Sequence, residues 1–135
     1  MTNKIHMPHD HGNLNQVLDA MPSKDVCNDM AASFKQLCDG TRLQIFWLLC
    51  HSEECVLNIS AAVGMSAPAV SHHLRGLKAA GLICGHRHGK EVHYTIASTP
   101  EAKLLHHFVD SILKTTCPKE VPCDDDTACD DDTAE

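Results

Sequence analysis

Two cysteines enclose a short polar run, Cys50-His51-Ser52-Glu53-Glu54-Cys55, and these residues are well placed for metal or thiol chemistry. A thiolate is both a soft ligand and a nucleophile, and neighbouring imidazole and carboxylate groups can complete a coordination shell. The run follows an apolar periodic segment, so it marks a helix end, where a thiol can reach solvent. Its spacing is at the loose end of what zinc sites use, and no second close pair completes a four-ligand site within one segment. A site would therefore be assembled from separate segments. Cys27, Cys38 and Cys84 fall within apolar periodic stretches or a strand, positions expected of small core residues.

A second kind of chemistry is written in AVSHHLRGLKAAGLICGHRHGKEVHYTI, residues 69–96, where Glu91 is the only acid. The chain as a whole has a formal net charge of −7. Residues 118–135 carry eight acids against the single base Lys119, so the rest of the chain is neutral and keeps a local basic stripe. Such a stripe is the electrostatic footprint of a surface that meets phosphates.

The elements that must position these groups follow from periodicity. Val26, Met30, Phe34 and Leu37, then Leu43, Ile45, Phe46, Leu48 and Leu49, predict two helices broken at Asp39-Gly40, with Thr41 as a cap for the second. Glu53 to Cys55 read as a short link. A helix over 56–63 ends at Gly64, and Ser66 caps a following helix whose Pro68 is tolerated in the first turn. Val70, Leu74 and Leu77 give that helix one apolar face. This pair is a helix-turn-helix. The next stretch is a β-hairpin with its tip near His88-Gly89, and a hairpin in this place is a wing. Ser66, Ala67, Ala69, Ser71, His72 and Arg75 are then expected nearest the bases of the major groove, with Arg87 and Lys90 on wing phosphates. His72 should face outward and His73 should pack. A last amphipathic helix carries Leu104, Leu105, Phe108, Ile112 and Leu113.

The fold class expected is mainly α with a β-hairpin, a dimeric winged helix-turn-helix. Residues 1–24 form a polar arm with His6, His9 and His11, residues 25–117 the DNA-binding and dimerisation domain, and residues 118–135 an acidic disordered tail that repeats CDDDTA. One Trp and three Phe make a thin core, which a homodimer interface would enlarge. No apolar run approaches the ~18 residues of a membrane span, and MTNKIHMPHDHG lacks a secretory apolar region. A cytoplasmic protein with reduced thiols is expected. A zinc-dependent hydrolase is disfavoured, since no HExxH motif or comparable base is present.

LCDGTRLQIFWLL, CVLNISAAVGMSAPAVSHHLRGLKAAGLI and GKEVHYTI together resemble the ArsR/SmtB winged-helix repressors of bacteria over about residues 30–116. The resemblance implies a homodimer on double-stranded operator DNA with an inverted repeat, released by a metal, a metalloid or a thiol modification. It implies a sensor site joining Cys55 to the partner's N-terminal arm, where His9 and His11 are candidates, with Cys50 as a further ligand. Asn58 stands where many members have an Asp ligand. The family's other site, on the last helix, looks lost, because Ser98 and Pro100 occupy its first pair of positions. His106, His107 and Asp110 share a helix face with Cys117 nearby and form a second candidate site, although surface polarity explains them equally well. The effector expected is a thiol-preferring ion: zinc, cadmium, lead or trivalent arsenic (arsenite). A redox or persulfide sensor using a cysteine pair is the alternative.

Overall fold

The computed structural model describes residues 6–114. Cys117 and the acidic segment 118–135 lie outside the described residues. Contacts divide the chain into two units, Met1–Ala31 and Ala32–Glu135. The first contains α1 (Leu14–Ala20) and the start of α2 (Lys24–Gln36). Its α1 buries no residue, and Val17, Met21, Val26 and Met30 are exposed.

The second unit follows with α3 (Gly40–His51), β1 (Glu54–Cys55), α4 (Val56–Val63), α5 (Ala67–Ala79), β2 (Ile83–His88), β3 (Glu91–Ile96) and α6 (Pro100–Leu113). α3 is apolar nearly all round, and such a helix must be covered on several sides. It packs against α4, α5, α6 and β3, and Ile45, Phe46 and Leu49 have no exposed surface. The expected helix-turn-helix is α4–α5. Gly64 closes α4 at φ 68°, a left-handed conformation that costs glycine little. Ser66 Oγ then accepts from the Ala69 N–H at 3.3 Å and caps α5. The wing is a hairpin with Gly89-Lys90 between the paired His88 and Glu91, and Gly89 supplies the positive φ of 63° that a two-residue turn demands.

Four expectations are corrected. α3 is capped by Asp39 rather than Thr41: the Asp39 carboxylate accepts from the Arg42 N–H at 3.0 Å. Glu54-Cys55 is a strand rather than a bare link, and it pairs antiparallel with β3 to make a sheet of order β1-β3-β2. Cys27 and Cys38 are exposed, Cys27 on a helix that buries no residue, while Cys84 is buried as expected. On α6 the buried residues are Ala102, Leu105, His106 and Val109, a helical stripe that excludes the apolar Leu104, Phe108 and Ile112.

The Arg42 N–H on its carboxylate holds Asp39 below the usual carboxylate range. A depressed folded-state value means that the cap stabilises fully above the unfolded value, near 4, and that this contribution is lost as pH falls through the folded one. Asp39→Asn keeps a capping oxygen without the titration. Wild-type protein should therefore lose more stability than Asp39→Asn between about pH 5 and pH 2.5 in chemical denaturation.

Candidate functional site

The residues expected to face DNA lie on α5 and around the β2–β3 turn. Ser66, His72 and Arg75 are exposed, Ala67, Ala69 and Ser71 are half-buried, and Val70, Leu74 and Leu77 on the opposite face enter the core. His72 is exposed and His73 half-buried, in the order expected. Arg87 and Lys90 are exposed at the wing. Short side chains along the first two turns of α5 leave room for its backbone to approach a groove, and the cations beyond suit phosphates.

Cys55 ends β1 and occupies the N-cap position of α4, where its side chain makes no capping hydrogen bond. Its cross-strand partner on β3 is His93, which in turn faces His86 on β2. Residues directly opposite in an antiparallel sheet project to the same side, as do residues two apart along a strand. One face of the small sheet therefore carries Glu53, Cys55, His93, His86 and His88. Contacts across the face agree: His88 Nε2 lies 2.9 Å from Glu53 Oε1, and the His88 and His93 rings stack at 4.4 Å. Glu53, His88 and His93 bring one ligand atom each within 4.8 Å of the others. This donor set suits a borderline ion, and the half-buried Cys55 is the cross-strand neighbour of His93 on the same face. Asn58 donates to Glu54 Oε2 at 2.8 Å. Cys50, expected at an exposed helix end, is buried within the apolar core because it shares the inward face of α3 with Phe46 and Leu49. His9 and His11 belong to the first unit, where their ring centroids are 5.9 Å apart.

A second cluster ties α3 to α6. The Trp47 indole N–H donates to Asp110 Oδ1 at 3.1 Å, and His51 Nε2 lies 3.3 Å from the same oxygen. His106 Nε2 is 2.9 Å from Asp110 Oδ2. A carboxylate only accepts, so these bonds assign the Nε2–H tautomer to both rings. Burial holds His106 below the ordinary histidine range, although the Asp110 carboxylate opposes that shift. Of the expected second site, His106 and Asp110 come together, whereas His107 is exposed and stacks on His106 at 5.5 Å. His51 takes the place expected of His107. Nothing local in the sequence pairs His51 with Asp110, 59 residues away. Alternation of His86, His88, Glu91 and His93 across the hairpin did carry a signal, since it places all of them on one face.

Residues 39–84 match the family model of bacterial regulatory proteins of the arsR family. A transcriptional repressor SmtB homologue of Synechocystis is 34% identical over 97 residues, which cover 72% of this chain and 74% of that protein. The chain belongs to the ArsR family. A cadmium resistance regulatory protein, CadC of Listeria innocua, is 42% identical over 64 residues, covering 47% of this chain and 54% of the relative. Among solved structures, a homodimeric winged helix-turn-helix DNA-binding domain from Mycobacterium bovis superposes with a TM-score of 0.61 at 31% identity, over 70% of this chain and 89% of that one. The ArsR-family match contains Cys55 and the whole of α5, and it ends at Cys84, inside β2.

Asp110 is the common acceptor of the α3–α6 cluster, so its removal strands buried donors. Asp110→Ala should destabilise the chain by about 1–3 kcal/mol in urea denaturation. Asp110→Asn, which keeps one carbonyl acceptor, should lose markedly less.

Proposed function

We propose that this ArsR-family chain is a transcriptional repressor that binds operator DNA as a homodimer and leaves it when a thiol-preferring metal or metalloid ion binds at Cys55. The observation that carries this reading is the position of Cys55, at once the last residue of β1, the N-cap residue of α4 and the cross-strand partner of His93. Ligation there acts on the wing and on the first helix of the helix-turn-helix together. A small displacement suffices, because a coupling of about 1–3 kcal/mol is typical of allosteric regulators. Zinc and cadmium suit one thiolate with imidazoles, whereas lead and arsenite would ask for further thiolates. The proposed ligands are Cys55 and His93, with His9 and His11 of an N-terminal arm. Burial of Cys50 counts against its use as a ligand and against a Cys50–Cys55 redox switch. The site of action proposed is the cytoplasm, where thiols stay reduced. Among the described residues no helix is long and apolar enough to cross a membrane.

The proposed dimer rests on α6, which has apolar residues on two sides. Leu105 and Val109 face the core, while Leu104, Phe108, Ile112 and Leu113 are exposed. Phe34, Leu37 and Leu43 line an open apolar groove with Phe108 and Ile112. A patch of this kind is costly on a monomer and fits a second copy of the same helix. Phe108→Glu should give a monomer by light scattering at micromolar concentration and lose most operator affinity. A wild-type chain that is itself monomeric there would refute the dimer. The operator should be an imperfect inverted repeat.

Two sets of variants test the rest. Arg75→Ala should weaken operator binding by about tenfold or more. Arg87→Ala and Lys90→Ala should each lower the slope of log affinity against log salt by about one. Cys55→Ser should bind operator DNA as wild type does and stay bound at ion concentrations that release wild type. Dissociation of Cys55→Ser at those concentrations would place the sensor elsewhere.

A further inference from the structure

The cluster between α3 and α6 is used neither by the proposed DNA surface nor by the proposed Cys55 site. We infer that His51, His106 and Asp110 form a second metal site, contained within one subunit, for a borderline divalent cation such as zinc, cobalt or nickel. One ligand atom from each residue lies within 4.8 Å of the other two. The two carboxylate–imidazole separations are 2.9 and 3.3 Å. Ligand atoms around a tetrahedral zinc with bonds of about 2.1 Å stand about 3.4 Å apart. The two separations run to different oxygens, Oδ2 for His106 and Oδ1 for His51, so an ion asks the carboxylate to turn one oxygen toward both rings within a cluster already 4.8 Å across.

The chemistry of the donors selects the ion class. Two imidazoles and one carboxylate offer no thiolate, so the site suits zinc, cobalt or nickel over the softer ions that Cys55 would favour. Three protein ligands also leave a coordination position open to water. Coordination replaces the Nε2–H bonds to Asp110: each neutral ring carries its proton on Nδ1 and offers Nε2 to the ion. The side chains of His51 and His106 are 6% and 5% exposed and that of Asp110 is 14% exposed, so all three are shielded from solvent. The indole N–H of Trp47 on Asp110 Oδ1 orients the carboxylate, as outer-shell donors do around bound metals. An ion here would join the core helix α3 to the helix proposed to form the dimer, through ligands drawn from one chain.

The chain carries a built-in reporter. Trp47 is its only tryptophan, hydrogen-bonded to one ligand and 4.6 Å, ring to ring, from another. Full-length Cys55→Ser protein, which lacks the thiol of the first site, is titrated separately with cobalt(II) and nickel(II) while Trp47 fluorescence and the cobalt absorption spectrum are followed. The expected result is saturable quenching at one ion per chain, with no thiolate charge-transfer band. His51→Gln and Asp110→Asn, each introduced into that background and checked for native circular dichroism, should weaken binding by at least about tenfold. Absence of saturable quenching, or quenching with unchanged affinity in both variants, would overturn the site. Thiolate bands in the Cys55→Ser spectrum would also overturn it, by assigning the ion to another cysteine. Because the Cys55 thiol is absent throughout, failure here leaves the Cys55 reading intact, and loss of the Cys55 response leaves this one intact.

Discussion

Burial of α3 is the constraint on which the second unit depends. Gly40–His51 is apolar on almost every side, and Ile45, Phe46 and Leu49 are fully excluded from solvent. No single neighbour can cover such a helix, so α4, α5, α6 and β3 each contribute part of the enclosure. α5 is thereby fixed through Val70, Leu74 and Leu77, leaving its short polar face outward. At its C-terminal end α3 changes character. His51 meets Asp110 and the Trp47 ring lies tilted against His51, so the helix finishes in a polar contact with α6. Its burial thus sets both the direction of α5 and the meeting of groups on α3 and α6.

The helix-turn-helix and the wing were legible because their signals are local. Gly64, Ser66 and Pro68 mark the turn and cap within five residues, and alternation of Val92, Tyr94 and Ile96 marks a strand beside its turn. The strand at Glu54-Cys55 was not legible, since two residues carry no periodicity and the pairing with Tyr94 and His93 is long-range. Asp39 and Thr41 are both competent caps by type, and only backbone geometry chose between them. The spacing of the apolar residues of α6 fits an amphipathic helix. Separation into a core stripe and an exposed stripe depends on where α3 lies.

The candidate sites divide in the same way. The basic outward positions of α5 and the wing follow from helical and strand periods alone. Cys55 was singled out by its neighbours and its likeness to the family, but its facing of His93 required the strand register. His106 carried no sign of burial in the sequence, where it looks like one of two exposed histidines. Its partner Asp110 is one turn away and visible, whereas His51 reaches the pair only through tertiary packing. Polar groups gathered in this manner have to satisfy one another, and the Asp110 carboxylate does so with three donors.

The order of elements along the chain has a consequence for synthesis. α6, which closes one side of α3, is the last described helix, and Asp110 lies 59 residues beyond its contact His51. At translation rates of ~5–20 residues per second, that stretch takes about 3–12 s to make. For this interval the apolar flank of α3 that Leu105 and Val109 will cover remains open on the nascent chain. Helix–coil events finish within about a microsecond, so α3, α4 and α5 have ample time to form and collapse together first. Emergence of α6 is then the event that completes the core, and a chain truncated before α6 would emerge with α5 formed but with α3 uncovered, a natural target for chaperones and proteases.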